Sequence, residues 1–136
     1  MACAVQYLSK KGRMQVNYDG NRPIYQQIIE QVEQWIVNGH WQQNEKVPSV
    51  RQLAEDLAVN PTTVQRAYSI LEQEEILISQ RGIGKFVTHN VGKITDLRFR
   101  LIEAHLTAFI IQLQKFELTQ SERDHIIERI VRTANE

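Results

Sequence analysis

Two short clusters of polar side chains stand out in this sequence because they combine groups that bind phosphate with groups that can reach nucleic-acid bases. Hydroxyl and basic side chains donate hydrogen bonds to phosphate oxygens, whereas amide and guanidinium groups can also bond to base edges. Glycines in a turn allow the backbone itself to approach a groove. The candidate residues are Ser49, Arg51, Thr62, Thr63, Gln65, Arg66, Arg81, Gly82, Gly84 and Lys85. Residue types in this pattern predict binding of double-stranded DNA.

The first cluster falls on two predicted helices that are joined by a tight turn. Ser49 can cap the first helix, because Gln52 follows three residues later as in a capping box. Asn60 can cap the second helix, and Pro61 suits its first position. The apolar residues at helical spacing are Val50, Leu53, Ala54 and Leu57 in the first helix and Val64, Ala67, Tyr68 and Leu71 in the second. This pattern is typical of a helix-turn-helix, and the alternative is an ordinary amphipathic helix pair with a solvated polar face.

The second cluster falls on a glycine-rich turn between two β-prone runs, at residues 76–78 and 86–88. Two such runs around a turn predict a β-hairpin, and a hairpin directly after a helix-turn-helix is a wing. Arg81 and Lys85 flank the tip, where we expect them to contact DNA. A strand follows the turn where a phosphate-binding loop would have a helix, so a nucleotide site is not predicted.

Two further predicted helices follow a boundary at residues 90–92. The first runs from about 95 to 116, and the second begins at Thr119, with Glu122 in capping-box position. A two-helix hairpin is too small to bury the wide apolar faces of these helices, so we expect a second copy of the chain to cover them. The predicted dimerisation residues are Leu97, Leu101, Ala104, Ala108, Phe109, Ile111, Leu113, Phe116, Ile126, Ile127 and Ile130.

The predicted fold is therefore mainly helical, with a small β-hairpin wing and a short two-helix dimerisation tail. A chain of 136 residues suits one domain with an appendage. We expect a mobile segment at 1–14, the winged helix-turn-helix domain at 15–90 and the tail at 93–136. Within the domain, 15–18 is predicted as a short strand, and Pro23 opens a first helix. Lys10, Lys11 and Arg13 offer an alternative for the first segment, a basic arm on DNA.

Composition favours a cytoplasmic protein without membrane contact. The chain has one cysteine, no apolar run that approaches the ~20 residues of a membrane span, and no apolar stretch typical of a signal peptide. Its 16 basic and 16 acidic residues cancel, whereas nucleic-acid-binding domains are often basic. DNA binding therefore requires that the placement of charges creates a local basic face.

Three other classes of function compete with DNA binding. The four histidines, His40, His89, His105 and His125, lack metal-ligand spacing, and no nucleophile motif occurs, so neither an enzyme nor a cofactor is predicted. The neutral charge favours a winged helix that docks to another protein. A sensor of an unknown small-molecule effector or metal could coexist with DNA binding, although a lone helical histidine such as His105 is more often a packing or surface residue.

Together these motifs resemble the GntR superfamily of bacterial transcription regulators and, within it, the small YtrA-like branch. The resemblance covers the chain from Pro23 to the C-terminus, through PIYQQI, PSVRQLAEDLAVNPTTVQRAY, ILISQRGIGKFV and the tail of two helices. It implies a winged-helix domain, a dimer formed through the tail and an operator with two-fold symmetry. It also implies repression of a neighbouring operon, often one that encodes a transporter.

The resemblance also assigns roles to single positions. The positions that match the family's DNA-contacting residues are Ser49, Arg51, Thr62, Thr63, Gly82 and Gly84. The chain departs from many superfamily members at Pro61 and Gln65, where they carry arginine, and at Arg66, where they carry glutamate. The large ligand-binding and aminotransferase domains of other branches have no counterpart in this sequence.

Overall fold

The computed structural model describes residues 16–136, which form five helices and one antiparallel hairpin. The elements are α1 (Ile24–Val37), α2 (Val50–Leu57), α3 (Pro61–Gln73), β1 (Leu77–Gln80), β2 (Gly84–Val87), α4 (Val91–Leu113) and α5 (Gln120–Ala134). This arrangement confirms the predicted fold class, a mainly helical winged helix-turn-helix with a helical tail. The predicted mobile segment at 1–14 lies outside the described residues.

The predicted caps define where both helices of the helix-turn-helix begin. The Ser49 hydroxyl accepts a hydrogen bond from the Gln52 N–H at 3.1 Å, and the Asn60 side chain accepts one from the Thr62 N–H at 3.0 Å. Caps of this kind each stabilise a helix by about 1 kcal/mol. Ala58 adopts the left-handed conformation, with φ 54°, and ends α2. The chain therefore turns between Leu57 and Pro61 and presents the start of α3 at a defined place.

A single apolar core joins α1, α2, α3 and the hairpin. Its largest fully buried side chains are Trp35, Tyr68, Ile28, Leu53, Leu71, Leu77, Leu97, Val32, Val64 and Val87. The Tyr68 hydroxyl donates a hydrogen bond to the carbonyl of Pro48 at 2.8 Å, and burial raises the pKa of this phenol well above its ordinary value. Because Pro48 immediately precedes the cap of α2, this bond and the apolar contacts fix α3 against α2.

The hairpin pairs Leu77 with Val87 and Gln80 with Gly84. A third extended segment also lies along β2, because Lys46 forms an isolated antiparallel bridge with Phe86. The Val47 N–H donates to the Lys85 carbonyl at 2.9 Å. This pairing was not predicted from the sequence, and it attaches the wing to the segment that enters α2.

Several predicted boundaries differ from the structure. Residues 16–18 do not form the predicted strand, and α4 begins at Val91 and ends at Leu113 instead of running from about 95 to 116. The first compact unit extends to Arg98, whose guanidinium donates to the Val37 carbonyl at the end of α1. Leu97 is 2% exposed in this unit. The assignment of Leu97 to the dimerisation surface was therefore wrong, because the chain's own winged domain covers it.

The second compact unit, Phe99–Glu136, contains the rest of α4 and all of α5. The predicted capping box is present: the Thr119 N–H donates to Glu122 at 2.7 Å, and the Glu122 N–H donates to the Thr119 hydroxyl at 3.3 Å. These contacts with Thr119 lower the pKa of Glu122. No residue of α5 is buried in the single chain. Across residues 16–136, every helix is too short or too polar to cross a membrane.

Candidate nucleic-acid interface

The start of α3 presents the predicted reading residues to solvent. Thr62, Gln65 and Arg66 are exposed, and Thr63 is half-buried. The opposite stripe of the helix is buried and consists of Val64, Ala67, Tyr68 and Leu71. The core therefore orients α3 so that its polar face is free to enter a groove of DNA.

The polar groups on this face are held by short-range hydrogen bonds. The Thr62 hydroxyl donates to the Asn60 side chain at 2.7 Å, and the Gln65 amide donates to the Ser69 hydroxyl at 3.2 Å. A glutamine amide has two N–H donors and an acceptor oxygen. Gln65 can therefore keep its bond to Ser69 while it offers one donor and one acceptor to a base, the pair that adenine requires.

Arg66 contacts a residue that was not predicted to be part of the site. Its guanidinium carbon lies 3.8 Å from the ring centroid of Tyr25, in the first turn of α1. The motif PIYQQI contained Tyr25, but no local pattern shows that residues 41 positions apart meet. The packing of α1 against α3 brings them together.

The N-termini of α2 and α3 are capped by neutral side chains. Neither α2 nor α3 has an acidic residue in its first turn, whereas α5 has Glu122 there. Arg51 is exposed in the first turn of α2. A cation at this position is unfavourable for the isolated helix, because the partial positive charge of an N-terminus attracts anions. A phosphate bound beside Ser49 and Arg51 would satisfy both the helix N-terminus and the guanidinium.

The tip of the wing has the geometry that its glycines predict. Gly82 and Gly84 have φ values of 78° and 143°, which side-chain-bearing residues rarely adopt. Arg81 is exposed beside them. Ile83, between the glycines, is 59% exposed and was not predicted to be functional.

Lys85, which is predicted to bind DNA, is half-buried and contacts the chain itself. Its ammonium group forms an ion pair with Glu72 of α3 and donates to the Ser79 hydroxyl at 3.1 Å. Both side chains of this pair are about three-quarters buried, with 25% and 29% exposed. Lys85 therefore holds the wing against α3, and its charge is already balanced in the free protein.

Two acidic residues near the candidate interface are paired with lysines of the same chain. Glu72 is paired with Lys85, and Glu75 is paired with Lys93 at 2.8 Å. The exposed cations around α2, α3 and the wing are Lys46, Arg51, Arg66 and Arg81. Of these, Lys46 was not predicted to belong to the site, and its side chain lies beside Gly84 at the wing.

The predicted dimerisation residues form no compact core within the single chain. Leu101, Leu113 and Ile126 are half-buried, and the exposed ones are Ala104, Ala108, Phe109, Ile111, Phe116, Ile127 and Ile130. Five further exposed apolar residues of the second unit were not among the predicted dimerisation residues, namely Phe99, Ile102, Leu106, Ile110 and Val131. Their spacing of three and four residues with Phe109 and Leu113 was the signal that could have identified most of them.

We expect Gly82→Val to weaken DNA binding about tenfold while leaving the fold largely intact. No atom would lie within 4 Å of an added Cβ, so backbone strain at φ 78° is what displaces the tip. Gly84→Val should act similarly, with φ 143° and the Lys46 side chain 2.8 Å from its Cβ position.

Fluorescence anisotropy with a labelled duplex measures binding, and circular dichroism measures folding. Ile83→Val is the control in the same turn. Normal binding by both glycine variants would show that the wing does not touch DNA.

Capped helices, an exposed polar face on α3 and a glycine-tipped hairpin define a winged helix-turn-helix protein. Comparison with known proteins identifies the family. Residues 24–87 match the family described as bacterial regulatory proteins, gntR family. The chain is 35% identical over 112 residues to the transcriptional repressor YtrA of Bacillus subtilis. The aligned region covers 75% of this chain and 85% of that protein. The chain belongs to the GntR family of transcription regulators and contains the DNA-binding domain of that family.

Solved structures agree with this assignment. A GntR family regulator from Listeria monocytogenes has a TM-score of 0.76 and 35% identity, covering 82% of this chain and 98% of that chain. The DNA-binding domain of AraR, solved in complex with operator ORX1, has a TM-score of 0.50 and 27% identity over 53% of this chain and 93% of that chain. The family and these relatives are transcription regulators, which confirms the predicted class and the prediction that the chain is not an enzyme.

Proposed function

We propose that this protein is a cytoplasmic homodimeric repressor that binds a two-fold DNA operator and controls a neighbouring operon, such as one for a transporter. The observation that carries this proposal is the exposed polar face of α3, which a buried core holds beside a neutrally capped helix N-terminus and a wing. YtrA is named a repressor, and AraR is solved on operator DNA, which supports the same activity here.

On DNA, α3 lies in the major groove and the wing follows the adjacent backbone. Ser49, Arg51 and Arg81 bind phosphates and set the position of the domain. Thr62, Thr63, Gln65 and Arg66 are the candidates for reading sequence, because their side chains stand at the start of the exposed face. Lys85 contributes indirectly, because it is engaged with Glu72.

Dimerisation is supported by α4, which is apolar on two opposite faces. One face carries Phe99, Ile102, Leu106, Phe109 and Leu113, and the other carries Leu101, Ala104, Ala108 and Ile111. A helix that is hydrophobic all round is normally buried, yet these side chains are exposed or half-buried in the single chain. Exposed apolar surfaces of this extent usually mark an association site.

The second unit also contains an apolar groove of about 630 Å³ between α4 and α5. The lining residues are Phe109, Leu113, His125, Ile126, Arg129, Ile130, Thr133 and Ala134. No residue of either helix is buried in this unit, so α4 and α5 leave room for a further helix between them. In the proposed dimer, a helix of the second copy occupies this space and covers both apolar surfaces.

The proposed function is tested by selecting sites from random duplex DNA and measuring binding of wild type and Arg51→Ala. We expect Arg51→Ala to weaken binding to selected and random duplexes alike, because Arg51 contacts phosphate. The salt dependence, log K against log salt concentration, should flatten by about one unit for each phosphate interaction that the substitution removes in each protomer.

Arg132→Ala is the matched control, since it removes an exposed arginine on α5 that pairs with Glu128. It should leave both affinity and salt dependence unchanged. If wild type enriches no sequence from the random pool, the proposed operator function is wrong. If Arg51→Ala behaves like Arg132→Ala, the start of α2 is not at the DNA.

A further inference from the structure

The contact between Arg66 and Tyr25 joins the recognition helix to α1 at the polar face. The distance of 3.8 Å from the guanidinium carbon to the ring centroid is well within the range of a cation–π interaction, about 6 Å. Arg66 is exposed, while Tyr25 is half-buried and receives a hydrogen bond from Gln26 at 3.2 Å on its hydroxyl. Within residues 16–136, no carboxylate lies within 4.0 Å of the Arg66 guanidinium. The Tyr25 ring is therefore the neighbour of the Arg66 guanidinium, and no carboxylate of residues 16–136 neutralises its charge there.

This geometry leaves the hydrogen-bonding groups of Arg66 free. A guanidinium that stacks on a ring uses one of its flat faces, whereas its five N–H donors lie in its plane and point outward. Two parallel N–H groups form a fork that matches a pair of acceptor oxygens or nitrogens. Such a pair is found on a backbone phosphate and on the O6 and N7 atoms of guanine. An unrestrained arginine side chain loses conformational freedom when it binds. Stacking on the ring already restrains the side chain in the free protein, so less conformational entropy is lost on binding.

We infer that Tyr25 is a positioning residue, which holds the Arg66 guanidinium so that its fork engages a paired acceptor on DNA. This role rests on the proposed operator binding and adds α1 to the set of elements that build the interface. It also gives Arg66 a defined partner in this chain. The ring supplies the interaction and the hydroxyl is not required.

Binding by four full-length variants tests this role: Tyr25→Phe, Tyr25→Leu, Arg66→Ala, and Arg66→Ala combined with Tyr25→Leu. Affinity is measured by fluorescence anisotropy on a selected operator and on a scrambled duplex. Tyr25→Phe keeps the ring face and should bind like wild type. Tyr25→Leu keeps an apolar side chain but removes the ring, and should bind about 5- to 30-fold more weakly. In the Arg66→Ala background, Tyr25→Leu should cause no further loss, because the two residues act through one contact.

The two duplexes distinguish the acceptor. An equal loss on both duplexes identifies a phosphate, and a loss confined to the operator identifies a guanine. Gln26→Ala is the matched control, since it removes the bond to the Tyr25 hydroxyl and leaves the ring in place. Thermal unfolding of each variant shows whether the winged domain is intact.

Three results would overturn the role of Tyr25. Tyr25→Leu could bind like wild type, Tyr25→Phe could lose as much affinity as Tyr25→Leu, or the loss from Tyr25→Leu could persist without Arg66. The second result would assign the effect to the hydroxyl, and the third would assign it to a direct contact or to the fold. Wild-type binding to the selected operator is measured first, so failure of the proposed function is separated from failure of this inference.

Discussion

The double substitution Ile102→Glu and Leu106→Glu should convert the protein to a monomer and lower operator affinity by about 10²–10⁴-fold. Ile102 is 53% exposed and Leu106 is 44% exposed in the single chain, so neither glutamate disturbs the chain's own core. In the proposed dimer both positions are covered by the second copy, where two buried carboxylates would be strongly unfavourable. Each winged domain would then bind its half of the operator alone.

Sedimentation or light scattering measures the oligomeric state, and anisotropy on the selected operator measures affinity. Thr107→Glu is the matched control, because it adds a charge to the same helix at an exposed polar position. The control should stay dimeric and bind normally. A double variant that remains a dimer, or that binds the whole operator as tightly as wild type, would contradict dimerisation through this face of α4.

Full-length variants test dimerisation more cleanly than a truncated chain, because the start of α4 belongs to the first unit. A chain that stops at residue 90 would lose Leu97, which is 2% exposed and belongs to the core of the first unit. Its weaker binding could then come from a damaged winged domain. Full-length variants avoid this ambiguity, because residues 102 and 106 lie in the second unit.

Local patterns in the sequence were sufficient to predict the helix-turn-helix and the wing. Ser49 and Asn60 cap α2 and α3 through bonds to N–H groups two or three residues away, so nothing distant is needed to recognise them. The positive φ of Gly82 and Gly84 likewise follows from the turn itself. The helical spacing of apolar residues identified the buried stripe of α3, and the exposed polar residues lie outside that stripe.

Contacts between distant residues could not be predicted in the same way. Helical spacing places Leu97 in line with Leu101, but only the folded structure shows that Leu97 is buried and that Leu101 is half-buried. The charge of Lys85 predicted a contact with DNA, whereas the fold brings it to Glu72, 13 residues earlier in the chain. The contact between Tyr25 and Arg66 depends on the same tertiary packing.

Gln65→Ala should lower affinity for the true operator and leave binding to random DNA unchanged. A side-chain amide that bonds to adenine contributes about 1–3 kcal/mol of discrimination, and a dimer makes the contact twice, so the expected loss is about 2–6 kcal/mol. Ser69 holds the Gln65 amide at 3.2 Å and so directs the free donor and acceptor outward. Ser69→Ala should therefore cause a smaller loss of the same kind, confined to the operator.

The measurement that decides this prediction is the ratio of operator affinity to random-DNA affinity at one salt concentration, because phosphate contacts lower both affinities together. Gln73→Ala is the matched control, since it removes an exposed amide at the C-terminal end of the same helix. The ratio should fall for Gln65→Ala and stay constant for Gln73→Ala. Site selection with Gln65→Ala should also relax the preference at one base pair in each half of the operator. Equal losses on both DNAs would instead place Gln65 at the phosphate backbone and leave sequence reading to Thr62, Thr63 and Arg66.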